Sequence, residues 1–226
     1  MVSLSLDGLL IRARDPAATL ARLLGEGATL VAPVEDHGWF VGGRVAIEGV
    51  GLSISRHGPD APDTIDALVL ATPGGPWGLR AAARALDLAA TVPVHSAIAI
   101  GPSRDPVAWW TLALPGLLDD GPALPTWGGG LATALTQTLL GTDRMRRLAA
   151  ARARGPMVVL VAPETMPSPL SKTTGRIAIE TGAHAAAWSR IVESLGDDGA
   201  RLDPRPGRRA RVLGLSRADG TPVALV

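Results

Sequence analysis

The chain has 226 residues, 46% of them hydrophobic, and a formal net charge of +1. That much apolar material fills a core and excludes disorder, while near-neutrality provides neither a basic field for nucleic acid nor an acidic face for a basic partner. The absence of cysteine removes disulfides, thiol nucleophiles and thiolate metal sites from consideration.

The amino terminus has no basic stretch followed by a long apolar run, and the longest apolar runs fall short of a membrane span. The expectation is a cytoplasmic protein that meets neither membrane nor nucleic acid. Six Trp, one Phe and no Tyr leave the core to aliphatic side chains, so each Trp carries information.

In residues 4–14, Leu6, Leu9 and Ile11 predict a mostly buried strand. Asp15 can cap a following helix with Pro16 in its first turn, and Leu20, Leu23 and Leu24 share one face before Gly25 or Gly27 ends it. Extended segments follow at 28–34, 39–47 and 51–56, with Gly42 and Gly43 marking a turn or bulge. After the linker 57–63, a strand at 65–71, the turn Thr72-Pro73-Gly74-Gly75, a helix from Pro76 to about Ala89 and strands at 92–100 and 107–114 repeat the pattern. The two helix starts lie roughly 60 residues apart, which points to a structural duplication.

Residues 115–130 read as a long loop containing Trp127 and as the best internal boundary. Beyond it come a half-buried strand at 131–140, a helix capped by Thr142 and reaching Arg154, an apolar strand at 157–162 and a loop at 163–175. A last unit has a strand at 176–181, a helix at 183–195, a strand at 210–217 and, across Ala218-Asp219-Gly220, a final strand at 221–226. Residues 1–125 thus hold two repeated units and 126–226 two less regular ones, in one body. The fold class is α/β in the α+β sense, with repeated strand-helix-strand-strand units forming mixed or mainly antiparallel sheets covered by helices. The alternative is a layered parallel sheet, since residues 65–71 and 158–161 are apolar throughout.

Three stretches carry a family resemblance: Leu6-Asp7-Gly8-Leu9-Leu10-Ile11-Arg12-Ala13-Arg14-Asp15-Pro16, Trp110-Thr111-Leu112-Ala113-Leu114-Pro115, and the closing Arg217-Ala218-Asp219-Gly220-Thr221-Pro222-Val223-Ala224-Leu225-Val226. With the repeated units, they resemble the vicinal oxygen chelate superfamily, particularly its glyoxalase-like domain, over the first half and about the last fifty residues. The resemblance implies paired units that curl sheets around a cleft. Where members bind metal, a His follows the acidic residue opening a unit and a Glu sits on its last strand. Here the matching positions hold Gly8, Ala67 and Arg176, with Ala224 in place of the Glu. None offers a suitable donor, so the resemblance implies a metal-free branch without a cofactor.

The residues themselves leave the site open. Alternation puts one of Trp109 and Trp110 inward and the other outward, so one of this pair or Trp127 lines a pocket unless both serve the core. His95, between Val94 and Ser96 on a predicted strand, is either an acid or base in a cleft or a satisfied strand histidine. The ligand-binding set expected is Trp39, His95, Trp110 and Trp127. His37, His57 and His184 form no metal spacing. Anion sites are conceivable at Thr72–Gly78, at Ser171–Arg176 and in the loop bearing Arg201, Arg205, Arg208, Arg209 and Arg211, against plain turns and exposed loops. No nucleophile elbow or catalytic carboxylate pair stands out. The function expected is binding of a small organic ligand. A scaffold or assembly protein working through Ala-rich helices, an enzyme of unknown reaction, and a homo-oligomer stay open.

Overall fold

The computed structural model describes residues 4–36, 41–56, 63–88, 90, 92–100, 105–114, 117, 157–163 and 174–226. The apolar run at its start forms β1 (Ser5–Arg12). The Asp15 carboxylate accepts the backbone N–H groups of Ala17 and Ala18 at 3.0 Å, and Pro16 stands in the first turn, which together open α1 (Pro16–Gly25). Leu20 and Leu23 supply its buried face. The chain returns through β2 (Thr29–Asp36), β3 (Val41–Ile47) and β4 (Val50–Arg56). β4 lies parallel to β1, and β3 runs antiparallel to both β2 and β4.

The second unit repeats this path through β5 (Thr64–Ala71), α2 (Gly75–Ala85), β6 (Val94–Ile100), β7 (Asp105–Leu114) and β8 (Met157–Pro163). β8 lies parallel to β5, and β7 runs antiparallel to β6 and β8. Because β1 and β5 pair antiparallel, the sheet order is β2-β3-β4-β1-β5-β8-β7-β6, which reads the same from either end when counterparts are exchanged. A pseudo-two-fold axis therefore passes between β1 and β5. Ala13 N–H donates to Ser55 and Thr72 N–H to Val161 at the same point of each unit, and Asp15 and Gly74 are the two helix caps. Both pairs are 59 positions apart (72 minus 13, 74 minus 15). The caps differ chemically: Gly74 is left-handed at φ 90° and makes no side-chain cap.

The sheet is mixed, so the layered parallel alternative fails. β8 also changes the organisation read from the sequence, which places it among less regular units beyond residue 126. It completes the second unit because both its faces are buried: Val158, Leu160 and Ala162 join the main core while Val159 and Val161 face the other way. Only an interior strand suits such a run. The strand expected at 131–140 and the helix at 142–154 lie outside the described residues.

A third unit has β9 (Arg176–Thr181), a 3-10 turn at Gly182–His184, α3 (Ala185–Ser194), a 3-10 stretch at Gly196–Arg201, β10 (Leu202–Arg205), β11 (Ala210–Ser216) and β12 (Pro222–Val223). They form a four-stranded sheet in the order β10-β9-β11-β12. Ile177, Trp188, Ile191 and Leu215 belong to the same buried cluster as Leu9, Leu23, Leu52, Leu68, Leu79 and Leu160. Polar ties cross the junction: Leu6 N–H donates to Asp198 at 3.1 Å, Arg190 Nε to the Leu86 carbonyl at 2.9 Å, and Trp188 Nε1 to the Leu117 carbonyl at 3.2 Å. Among the described residues no helix is long and apolar enough to cross a membrane.

Candidate functional site: the far face of the paired units

Strand alternation gives the eight-stranded sheet two chemically different faces. One carries Leu9, Ile11, Leu52, Leu68, Leu112 and Leu160 into the core under the helices. On the far face, buried Ala67, Ala113, Val159 and Val161 form a second apolar cluster against which Leu10, Val69, Ala71 and Trp109 pack. All eight come from β1, β5, β7 and β8, and none from a described helix.

Next to this apolar floor the far face turns polar. Arg12 shares the parity of Leu10. Its Nη2 stands 2.6 Å and its Nε 3.1 Å from Asp66 Oδ1, which also accepts Thr64 Oγ1 at 3.2 Å. Asp66 is 1% exposed. A register slip between Leu10 and Ile11 in the β1–β5 ladder leaves Asp66 without a cross-strand partner, and a bulge of this kind turns the extra residue toward its neighbour's side. On β3, Arg44 alternates with core residue Val45 and donates from Nη2 to Asp7 at 2.9 Å. Its guanidinium lies across β4 at Gly51, where an added Cβ would come within 2.3 Å of Nη2. Both guanidiniums are thus matched by a carboxylate, Arg12 from the adjacent β5 and Arg44 from β1 across β4.

The expected ligand-binding residues fall as follows. Trp110 packs against the main core, beneath the helices, and His95 stands opposite it in the β6–β7 register with ring centroids 4.9 Å apart at 49°. His95 is exposed. Trp39 and Trp127 lie outside the described residues, as do His37 and His57. The structure therefore brings His95 and Trp110 together on the helix side and gives the far face Trp109. The sequence reading does not single out Arg12, Asp66, Asp7 or Arg44. Their signal is a charged residue interrupting an otherwise apolar strand, as Arg12 and Asp66 do.

The positions that match metal ligands in the resemblance are structurally equivalent: Gly8 on β1 and Ala67 on β5 are related by the same offset as the helix caps. Neither carries a donor. Arg176 is exposed at the start of β9, and exposed Ala224 lies just past β12. Among the described residues no group of three His, Cys, Asp or Glu side chains could hold a metal ion. These residues do not fit a metal centre of that kind.

The anion candidates resolve differently. Thr72–Gly78 makes a tight turn in which Gly78 N–H donates to Gly74 and leaves no room for a Cβ, which would stand 1.9 Å from the Pro73 carbonyl. Ser171, Lys172 and Thr173 lie outside the described residues, while Thr174 bonds Glu48. The arginine-rich stretch, read as one exposed loop, holds strand β10 and the first residues of β11, joined by a short connection that folds around Glu180. The Glu180 carboxylate accepts Arg208 N–H at 2.7 Å, Arg209 N–H at 3.3 Å and Arg211 Nε at 2.8 Å. The anion served there is the chain's own. Arg211, then the backbone of Arg209 and Arg208, hold the Glu180 carboxyl below its ordinary pKa against a smaller opposing effect of burial.

No protein-family model matches the chain, and no curated protein matches it. Among solved structures, the chain is similar to methylmalonyl-CoA epimerase from Mycobacterium tuberculosis, at TM-score 0.38 and 13% identity over 71% of this chain and 89% of that one. It is also similar to BphC, a halotolerant catechol dioxygenase, at TM-score 0.39 and 14% identity over 87% of this chain and 55% of that one. Both have the vicinal oxygen chelate, glyoxalase-like fold. The chain thus spans about half the length of the dioxygenase.

Proposed function

We propose that the chain binds a small organic ligand on the far face of its paired units, in a metal-free, glyoxalase-like manner. The observation that supports this is the composition of that face: an apolar floor with Trp109 at its edge adjoins hydrogen-bonding side chains across the pseudo-two-fold axis. Pockets for small molecules combine an apolar lining with a few convergent polar groups in this way. Trp109 is the indole proposed to line this face; of the set expected from the sequence, Trp39, His95, Trp110 and Trp127, the pair His95 and Trp110 stands on the helix side of the sheet.

A metabolite screen that follows Trp fluorescence and melting temperature tests the reading. A ligand present at about 100 times its Kd stabilises the native state by about 2.7 kcal/mol. For a chain of this size that raises the melting temperature by about 5–10 °C. Trp109→Ala abolishes the fluorescence response, whereas Trp110→Phe retains it. A screen with no thermal shift, together with a specific complex by light scattering, replaces this reading with an assembly role. One feature favours that second reading: Trp77, 75% exposed on α2 with the Arg80 guanidinium 5.5 Å from its ring, offers an aromatic anchor to a partner.

A further inference from the structure

We infer that the ligand taken by the far face carries no net charge: a flat apolar body with neutral hydrogen-bonding groups, not an organic anion. This inference rests on the ligand-binding reading above and narrows it. On the far face most of the apolar floor, Ala67, Val69, Val159 and Val161 with Trp109, comes from β5, β8 and β7. The pair Arg12–Asp66 joins β1 to β5 across the pseudo-axis, and Arg44–Asp7 joins β3 to β1.

The two arginines at first suggest a carboxylate or phosphate ligand. Their partners point the other way. Arg12 is held through two nitrogens by a nearly fully buried carboxylate, and Arg44 is held by Asp7 and pinned over Gly51. A paired guanidinium and carboxylate present the field of a dipole, which falls off faster with distance than that of a charge. An anion seated beside either pair meets a cation already bonded to a carboxylate, and one seated on the apolar floor is desolvated with no unmatched counter-charge among the described residues. A neutral ring loses nothing comparable and stacks against Trp109.

Two fluorescent probes of one skeleton test this: N-phenyl-1-naphthylamine, which is neutral, and 8-anilino-1-naphthalenesulfonate, which adds a sulfonate. The full-length protein is titrated with each, and Trp109→Leu reports whether a probe occupies this face. The expected result is Trp109-dependent binding of the neutral probe with a Kd at least about tenfold lower than that of the sulfonate. Asp7→Asn, which leaves Arg44 unmatched, should shift the ratio toward the sulfonate by about tenfold. Asp66→Asn, where it folds, should do the same through Arg12. Trp109-dependent binding that favours the sulfonate in the parent protein overturns the inference and leaves the ligand reading standing. An unchanged ratio in Asp7→Asn also overturns it. Absence of any Trp109-dependent signal from both probes overturns the ligand reading and the inference with it.

Discussion

Gly8→Ala tests the central packing of the fold. At Gly8 the chain has φ +150°, and an added Cβ would stand 1.8 Å from the Gly51 carbonyl oxygen and 2.6 Å from its carbon. The obstacle is backbone on β4, so no side-chain rotation relieves it, and β1 is clamped on its other edge by β5. Moving β1 away from β4 by about 1.5 Å breaks ladder geometry that tolerates little change in strand spacing. Overpacking costs about 1–3 kcal/mol, and a side chain in this region of backbone space costs about 1–3 kcal/mol more. With about 2–4 °C lost per kcal/mol at this length, the melting temperature should fall by about 5–20 °C. The matched control is Gly25→Ala in the last turn of α1, where an added Cβ meets nothing within 4 Å and φ is ordinary. There the change should raise stability by about 0.4–1 kcal/mol through the unfolded chain. Thermal and urea unfolding followed by circular dichroism compare the two. A Gly8→Ala melting temperature within about 2 °C of the parent would refute the close β1–β4 approach on which the estimate rests.

The two helix starts differ in sensitivity. Asp15→Ala removes a carboxylate that accepts two backbone N–H groups and should cost about 1 kcal/mol by urea unfolding. Gly74→Ala loses no hydrogen bond but forces a Cβ at φ 90°, costing about 1–2 kcal/mol by the same measurement. Trp188 is fully buried and donates to Leu117, so Trp188→Ala should cost about 3–5 kcal/mol, and Trp188→Phe less, with loss of a buried indole's fluorescence. Because Glu180 titrates below its ordinary value in the folded state, its contribution is complete above the unfolded pKa and is lost as pH falls through the folded one. Carboxyl NMR should therefore find Glu180 titrating below an exposed glutamate, with Arg211→Ala moving it upward; no change in Arg211→Ala contradicts the assignment.

Local chemistry is legible in the sequence wherever a few neighbouring residues settle the outcome. Asp15 and Pro16 are enough to place the start of α1, and residues 176–181 form β9 as their pattern requires. Pairing across long separations is not legible in this way. β8 reads as a buried strand from its own residues, yet nothing within it names β5 and β7 as neighbours. β10 is missed because four residues containing Pro204 and flanked by arginines resemble a loop; an edge position with only β9 beside it makes the proline tolerable. The final strand is shorter than its apolar residues suggest, since only Pro222 and Val223 pair with β11. For the candidate site, the Trp109-Trp110 dipeptide guarantees one indole on each face but not which face the helices cover. That depends on where α2 lands, and its contacts with β7 and β8 decide it.

The place of β8 has a consequence in time. The first unit closes from consecutive segments, β1 to β4, soon after the chain through Arg56 is made. In the second unit, β5 and β7 flank a position that stays vacant until Met157–Pro163 has been synthesised, long after Leu114. Loop closure on that scale slows folding, and two apolar strand edges wait meanwhile for the same late partner. A ribosome stalled between Leu114 and Met157 therefore holds one finished unit beside one whose middle strand is missing, and the nascent chain is most open to mispairing and chaperone capture in that interval.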